Sequence, residues 1–226
     1  DFIRESLGAL RASDFALVVV NANHGAGVGT DLVWKTATEF GIPKMIVLNG
    51  FDKEDTDFGK LLNELREHFG TRVFPLSLPV NPGPGFNQLL DVIRSEVITY
   101  AGDQSGKFTE APAAGALAER VTAMHKQLIE YIAEADDTLM EKWMEKGTLT
   151  EEELRAGLHA AVQKQSFVPV FCTSAVNNIG VARLLDMIAK YGSSPADRKV
   201  VKAQDAEGRE CEVKLHGAET VCYVFK

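Results

Sequence analysis

Asn49 and Asp52 stand where the apolar run Met45-Ile46-Val47-Leu48 turns polar. An ionised carboxylate accepts through two oxygens and can take two parallel N–H bonds from one edge of a heterocyclic ring, while an amide both donates and accepts. The pair is therefore equipped to read the edge of a nucleobase. It also suits a plain turn or helix cap, a common use of these residue types after a strand. A second candidate is Gly25-Ala26-Gly27-Val28-Gly29-Thr30. A glycine-rich turn opening a helix can cradle a phosphate, because its N–H groups and the helix dipole favour an anion. The stretch lacks the G-x-x-x-x-G-K-[ST] pattern whose Lys and hydroxyl serve phosphates and magnesium. It comes closer to the dinucleotide fingerprint G-x-G-x-x-G, with its third glycine one residue early, and Asp52 lies about twenty residues on, where a ribose-binding acid belongs. A dinucleotide-binding enzyme is thus one reading of this stretch, and a structural glycine loop the plainer one.

The elements that must position these residues follow a regular rhythm. Ile3, Leu7 and Leu10 fall at helical spacing, and Phe15-Ala16-Leu17-Val18-Val19-Val20 reads as a buried strand. After the glycine stretch, Leu32, Val33, Trp34, Ala37 and Phe40 mark a helix that stops at Gly41, with Pro43 just beyond. The run Met45–Leu48 is a second buried strand, and Leu61, Leu62, Leu65 and Phe69 form a helix ending at Gly70. Alternating strand and helix implies a parallel sheet with covering helices, and ligands of such sheets sit outside the carboxyl ends of the strands. Asn49 and Asp52 occupy that position.

The pattern changes from Leu76. Leu78 to Gly85 reads as a loop, Leu89 to Tyr100 is apolar and partly β-branched, and Gly102 to Gly115 reads as an exposed excursion. A long helix carries Val121, Met124, Leu128, Ile132 and Ala135 on one face, and Thr150-x-x-Glu153 is a capping box for another with Leu154, Leu158 and Val162. Glu151, Glu152 and Glu153 suit the first turn of that helix better than catalysis, and Trp143 suits packing. The α/β rhythm resumes with the strand Val168–Cys172, the polar Thr173-Ser174-Ala175-Val176-Asn177-Asn178, and a helix bearing Val181, Leu184, Leu185, Ile188 and Tyr191. Cys172 sits within the apolar strand and reads as packing, not as a nucleophile. Val221–Phe225 reads as a strand whose partners belong to a further domain.

Composition narrows the classes. A chain of 226 residues, 45% hydrophobic and 25% charged, is globular, not disordered. Its net charge of −8 argues against broad electrostatic binding to nucleic acid by this piece, and no direct sequence-specific nucleic-acid binding is expected of it. Three cysteines without a C-x-x-C spacing suggest reduced thiols in the cytoplasm. Scattered histidines give no local metal motif, and no apolar run is long enough for a membrane span. Asp1-Phe2 leads straight into a helical pattern, which suggests part of a longer protein.

Together these segments resemble the later part of the GTPase domain of elongation factor G and its paralogues. Asp1-Phe2 is similar to the residues after the family's Asp-x-Pro-Gly-His turn, and Gly25 through Trp34 to its G-V-x-x-x-T-x-x-V-W stretch. Asn49-Gly50-Phe51-Asp52 resembles Asn-Lys-x-Asp, and Val168–Ala175 resembles V-P-V-x-x-x-S-A. Tyr223–Lys226 is similar to the first strand of the β-barrel that follows. The resemblance implies an α/β fold: a P-loop-GTPase-like parallel sheet with covering helices, its N-terminal part missing, and an α+β insert subdomain. The implied division is a partial GTPase domain over 1–76, the insert over 77–166, a return segment over 167–195, and a linker with the first barrel strand over 196–226.

Site roles follow from the resemblance alone. Asp52 would bind N1 and the exocyclic amine of guanine, and Asn49 would support base and loop. The Ala175 N–H would face the base oxygen, Ser174 would hold the loop in shape, and Val176 would be among the guanine-binding residues of that loop. Adenine would leave Asp52 unpaired, at a cost of roughly 1–3 kcal/mol or more. The implied ligand is GTP or GDP, with Mg2+ held by residues outside this chain, and the implied partner is the ribosome. Gly50 departs from the motif Lys whose stem lies along the base, and the expectation is weak guanine-nucleotide binding or none. Phe51 should not replace that Lys, since neighbouring side chains on an extended segment point to opposite faces. The family's P-loop, magnesium-binding switch and catalytic His precede Asp1, so this chain alone should not hydrolyse GTP.

Overall fold

The computed structural model describes residues 3–198, 200–205 and 207–214. The chain opens with helix α1 (Ile3–Arg11), strand β1 (Ala16–Asn21), α2 (Val28–Glu39), β2 (Lys44–Asn49), α3 (Phe58–Phe69) and β3 (Val73–Pro75). An antiparallel sheet follows, made of β4 (Ser77–Pro79), β5 (Gln88–Asp91), β6 (Glu96–Tyr100) and β7 (Phe108–Pro112). Helices α4 (Ala116–Glu134), α5 (Asp137–Lys146) and α6 (Glu151–Gln163) lead to β8 (Val168–Thr173) and α7 (Val181–Tyr191). A hairpin of β9 (Val200–Gln204) and β10 (Glu210–Lys214) completes the described chain. Val221–Phe225, read from the sequence as a strand, lies outside the described residues.

The first sheet has the order β1-β2-β8-β3, and its strands are parallel. Strand β8, which arrives after the whole 77–166 segment, slots between β2 and β3. It sets Thr173 beside Asn49, just as β1 sets Asn21 there. Met45, Ile46, Val47 and Leu48 are buried, as a central parallel strand covered on both faces must be. Trp34 of α2 stacks on Phe69 of α3 at 4.1 Å between ring centroids, closing one side of the core. That core runs without a break from the parallel sheet through β5, β6, α4 and α6.

Several elements differ from their sequence reading. Helix α2 begins at Val28, inside the glycine stretch. Gly25 N–H donates to Asn21 O at 3.0 Å and Asn23 N–H to Asn21 Oδ1 at 2.9 Å, so the turn closes early. The excursion from Gly102 to Gly115 is exposed as expected but contains β7, an edge strand held to β6 by backbone pairing that needs no apolar side chains. Helix α5 is a separate element. The Asp136 side chain caps it by accepting from Thr138 N–H and Leu139 N–H, and Gly147 at φ +69° ends it.

Three buried charged residues sit behind this architecture. Asp91 of β5 and Arg183 of α7 pair, with Arg183 Nε donating to Asp91 Oδ2 at 3.0 Å, and Asp91 Oδ1 also accepts from Ile93 N–H and Arg94 N–H. At the opposite end of the parallel sheet, Lys44 lies over the Trp34 ring and donates to Gln165 Oε1 at 2.7 Å. Burial, with the nearby Arg72 guanidinium adding to it, pushes the Lys44 ammonium down to about 8.

Candidate functional site

Two loops meet at the carboxyl ends of β2 and β8. The first, Asn49 to Lys53, is pinned by its backbone: Gly50 N–H donates to Thr173 O at 3.0 Å, and Lys53 N–H returns to Gly50 O at 3.2 Å. The second, Ser174 to Gly180, is closed by a Ser174–Ile179 bridge with N–H···O distances of 3.0 and 2.9 Å. Gly180 is obligatory there, since its φ is +78° and a Cβ would meet Cys172 O at 2.6 Å.

The side chains tie the loops together. Asn49 Oδ1 accepts from Ala175 N–H at 2.8 Å and from Thr173 Oγ1 at 3.2 Å. With both bonds on its oxygen, the amide is oriented and Nδ2 is left without a partner among the described residues. Thr173 Oγ1 also lies 3.3 Å from Leu48 O, and the Thr173 carbonyl accepts from Gly50 N–H. Thr173 is thus a hub of the site that the sequence reading passed over. Its only sequence signal was its place between the apolar strand and Ser174.

Asp52 lies beside Asn49 at the mouth of these loops. Its side chain is 11% exposed, and its ion pair among the described residues is a long one, 3.7 Å to Lys53 Nζ. Its oxygens are therefore largely uncommitted. Phe51 points the other way: it is fully buried, with ring centroids 6.2 Å from Phe58 and 5.9 Å from Phe86. It cannot lie along a ligand at the mouth of the loop. Gly50 has φ +101°, and no heavy atom lies within 4 Å of where its Cβ would be. Space exists for a Cβ, but the backbone conformation is one L residues avoid.

Ser174 is fully buried and its Oγ accepts from Asn177 N–H at 3.4 Å, so it acts inside the loop. Ala175 faces outward with its N–H committed to Asn49, where the resemblance had it facing a base oxygen. Val176 is 72% exposed on the outer turn of the loop. The structure thus brings Asn49, Asp52, Ser174 and Ala175 to one end of the sheet, with Val176 at the rim.

The glycine stretch is built differently. Ala26 N–H donates to Glu64 Oε1 at 2.9 Å, and a side chain at Gly25 would run into that carboxylate. The Glu64 carboxylate already takes the turn's N–H group, and the adjoining cleft is lined by three acids, Asp55, Asp57 and Glu64, against one Lys60 and His24. Like charges there oppose a dinucleotide pyrophosphate. Among the described residues, no group of three or more His, Cys, Asp or Glu could hold a metal ion, and no helix is long and apolar enough to cross a membrane.

Comparison with known proteins agrees with this geometry. The sequence matches the family described as the elongation factor Tu GTP binding domain over residues 1–194. A similar solved structure is the crystal structure of ttk003000868 from Thermus thermophilus, at 35% identity and a TM-score of 0.80. The match covers 88% of this chain and 29% of that protein, so the chain spans under a third of its length. With a P-loop-GTPase-like parallel sheet, additional antiparallel strands and a family match over most of its length, the chain belongs to the GTP-binding domain family of the elongation-factor-type translational GTPases.

Proposed function

We propose that this chain supplies the base-reading half of a guanine-nucleotide site in an elongation-factor-G-like protein that acts on the ribosome in the cytoplasm. The observation that carries the reading is the lateral pairing of Asn49 with Thr173, which sets the Asn49–Asp52 turn and the Ser174–Val176 loop side by side. Asp52 takes guanine N1–H and the exocyclic amine on its two oxygens. The Nδ2 of Asn49, left free by the two bonds to Oδ1, donates to an acceptor on the base. Ala175 N–H reaches the base oxygen by sharing its hydrogen with Asn49 Oδ1, Ser174 shapes the loop, and Val176 covers its rim.

Gly50 makes this a weak site, because no stem lies along the base and Phe51 is turned into the core. The phosphate-binding loop, the Mg2+ ligands and the hydrolytic residues belong to the remainder of the longer polypeptide. Leu17 and Val19, on an exposed face of β1 at the edge of a parallel sheet, offer the surface on which that remainder packs. In this reading residues 1–76 and 167–195 form one GTPase domain, 77–166 its insert, and 196–226 the passage into a following barrel. GTP then drives translocation or ribosome recycling.

A second reading rests on Gly50: a paralogue without GTPase activity that acts by binding the ribosome. Ribosome-stimulated GTP hydrolysis by the full-length protein separates the two. Hydrolysis that rises on ribosome addition supports the GTPase, whereas ribosome binding without turnover supports the second reading.

A further inference from the structure

We propose that the loop Asn81–Phe86, which belongs to the antiparallel sheet, is a brace that positions Asp52, with the Gly83 amide and the Phe86 ring as its points of contact. The proposal rests on the reading of Asn49–Asp52 as the guanine-recognition turn. Gly83 N–H donates to the carbonyl of Phe51 at 2.7 Å, on the peptide that leads directly into Asp52. From the other side, Thr173 O accepts from Gly50 N–H at 3.0 Å. The turn is therefore held between β8 on one flank and the 81–86 loop on the other. The buried Phe86 ring packs against the fully buried Phe51 ring, so the residue before Asp52 is fixed by its side chain as well as its carbonyl.

The loop is built to hold its shape without help from a ligand. Asn81 Oδ1 accepts from Gln88 N–H at 2.9 Å and Asn87 N–H at 3.2 Å, while its Nδ2 donates to Gly85 O at 3.0 Å. Gly83 and Gly85 adopt φ +109° and +90°, conformations that glycine alone enters freely, and Pro82 and Pro84 fix the φ angle at the position before each glycine. Gly83 is the point at which this preformed loop reaches the base-reading turn. A preorganised brace lowers the ordering cost of ligand binding at Asp52. It also makes the 77–166 segment a determinant of base affinity, acting through Phe51.

The test reads the placement of Asp52 and not merely the presence of a fold. Inosine diphosphate lacks the exocyclic amine of guanine, so the ratio of GDP to IDP affinity reports how well the carboxylate meets that amine. Both nucleotides are titrated against the full-length native polypeptide and two variants, with unfolding of the nucleotide-free proteins followed in parallel. Wild type is expected to prefer GDP by about tenfold, the worth of one hydrogen bond to a charged group. Phe86→Leu, which keeps most of the apolar volume, is expected to lower the preference about threefold with a cooperative unfolding transition retained. Phe86→Ala is expected to bring it near parity, and if that variant does not fold, Phe86→Leu decides. Folded variants that keep the wild-type ratio, even while binding both nucleotides more weakly, overturn the brace. A wild type that binds GDP and IDP equally overturns the base-reading assignment itself, and the brace with it.

Discussion

Removing the Asp91 carboxylate should be among the most damaging single changes to this chain. Asp91 and Arg183 are 4% and 6% exposed, so neither charge has water to fall back on. Truncating Asp91 to Ala leaves the Arg183 guanidinium buried and unpaired, a situation that costs about 3–5 kcal/mol. It also strips the acceptor from Ile93 N–H and Arg94 N–H, which Asp91 Oδ1 now caps at 2.8 and 3.0 Å. Asp91→Asn keeps an acceptor for those amides and removes only the charge, so it should cost less than Asp91→Ala. Arg183→Met removes the other charge, and Asp91 then keeps its two amide donors. The double variant Asp91→Asn/Arg183→Met leaves no buried charge. It should be more stable than the sum of the single effects predicts, by about 2 kcal/mol or more. Urea unfolding of the four proteins at matched m-values measures the cycle. Because α7 follows the Ser174–Gly180 loop directly, the single variants should also loosen that loop, visible as faster amide exchange at Ile179. An Asp91→Ala cost under about 1 kcal/mol, or strictly additive singles, would refute the assignment of a buried, coupled pair.

Other consequences follow from the same structure. The Lys44 ammonium is lowered to about 8 by burial, so between there and the ordinary lysine value the unfolded chain binds more protons than the folded one. Stability should therefore rise with pH above about 8, and Lys44→Met should flatten that rise without loss of stability at neutral pH, as read by denaturant titration across pH. The Cβ of Gly50→Lys would meet no neighbouring atom, but the change forces an L residue to φ +101°, so it should destabilise by about 1–3 kcal/mol. Any gain in GDP affinity from the restored stem must be measured on protein shown to be folded. Burial raises the Cys172 thiol well above its usual range, so in native protein at pH 8 it should resist iodoacetamide while the half-buried Cys211 reacts, with peptide mass spectrometry as the readout. Gly180→Ala should fold poorly, because its Cβ would press on Cys172 O, and a thermal melt close to wild type would contradict that.

The features legible in the sequence are those set by local patterns. The apolar run Met45–Leu48, the helix ending at Gly70 and the Thr150–Glu153 capping box depend on neighbours a few residues apart, and each stands where the pattern put it. Helix α5 was legible in principle, since Asp136 and Gly147 bracket it, but its mixed face carries no buried residue and so no clear period. Strand β7 left no side-chain signal because all five of its residues are exposed and only its backbone pairs. The site was half visible. Asn49 and Asp52 announce themselves by residue type at a strand end, but Thr173 meets Asn49 across 124 positions of sequence, a register that only the folded sheet creates. The carboxylate of Glu64 in the glycine turn is likewise a tertiary contact, made across 38 positions, and it changes what that turn can bind.

The most direct test of the central claim is a fluorescent-GDP titration of the full-length native polypeptide, with unlabelled GTP and ATP as competitors and Asp52→Ala as the variant. The expected result is weak, saturable binding that GTP displaces and ATP does not, and that Asp52→Ala abolishes. Folded protein that binds no guanine nucleotide, or that releases the probe equally to ATP, would contradict it.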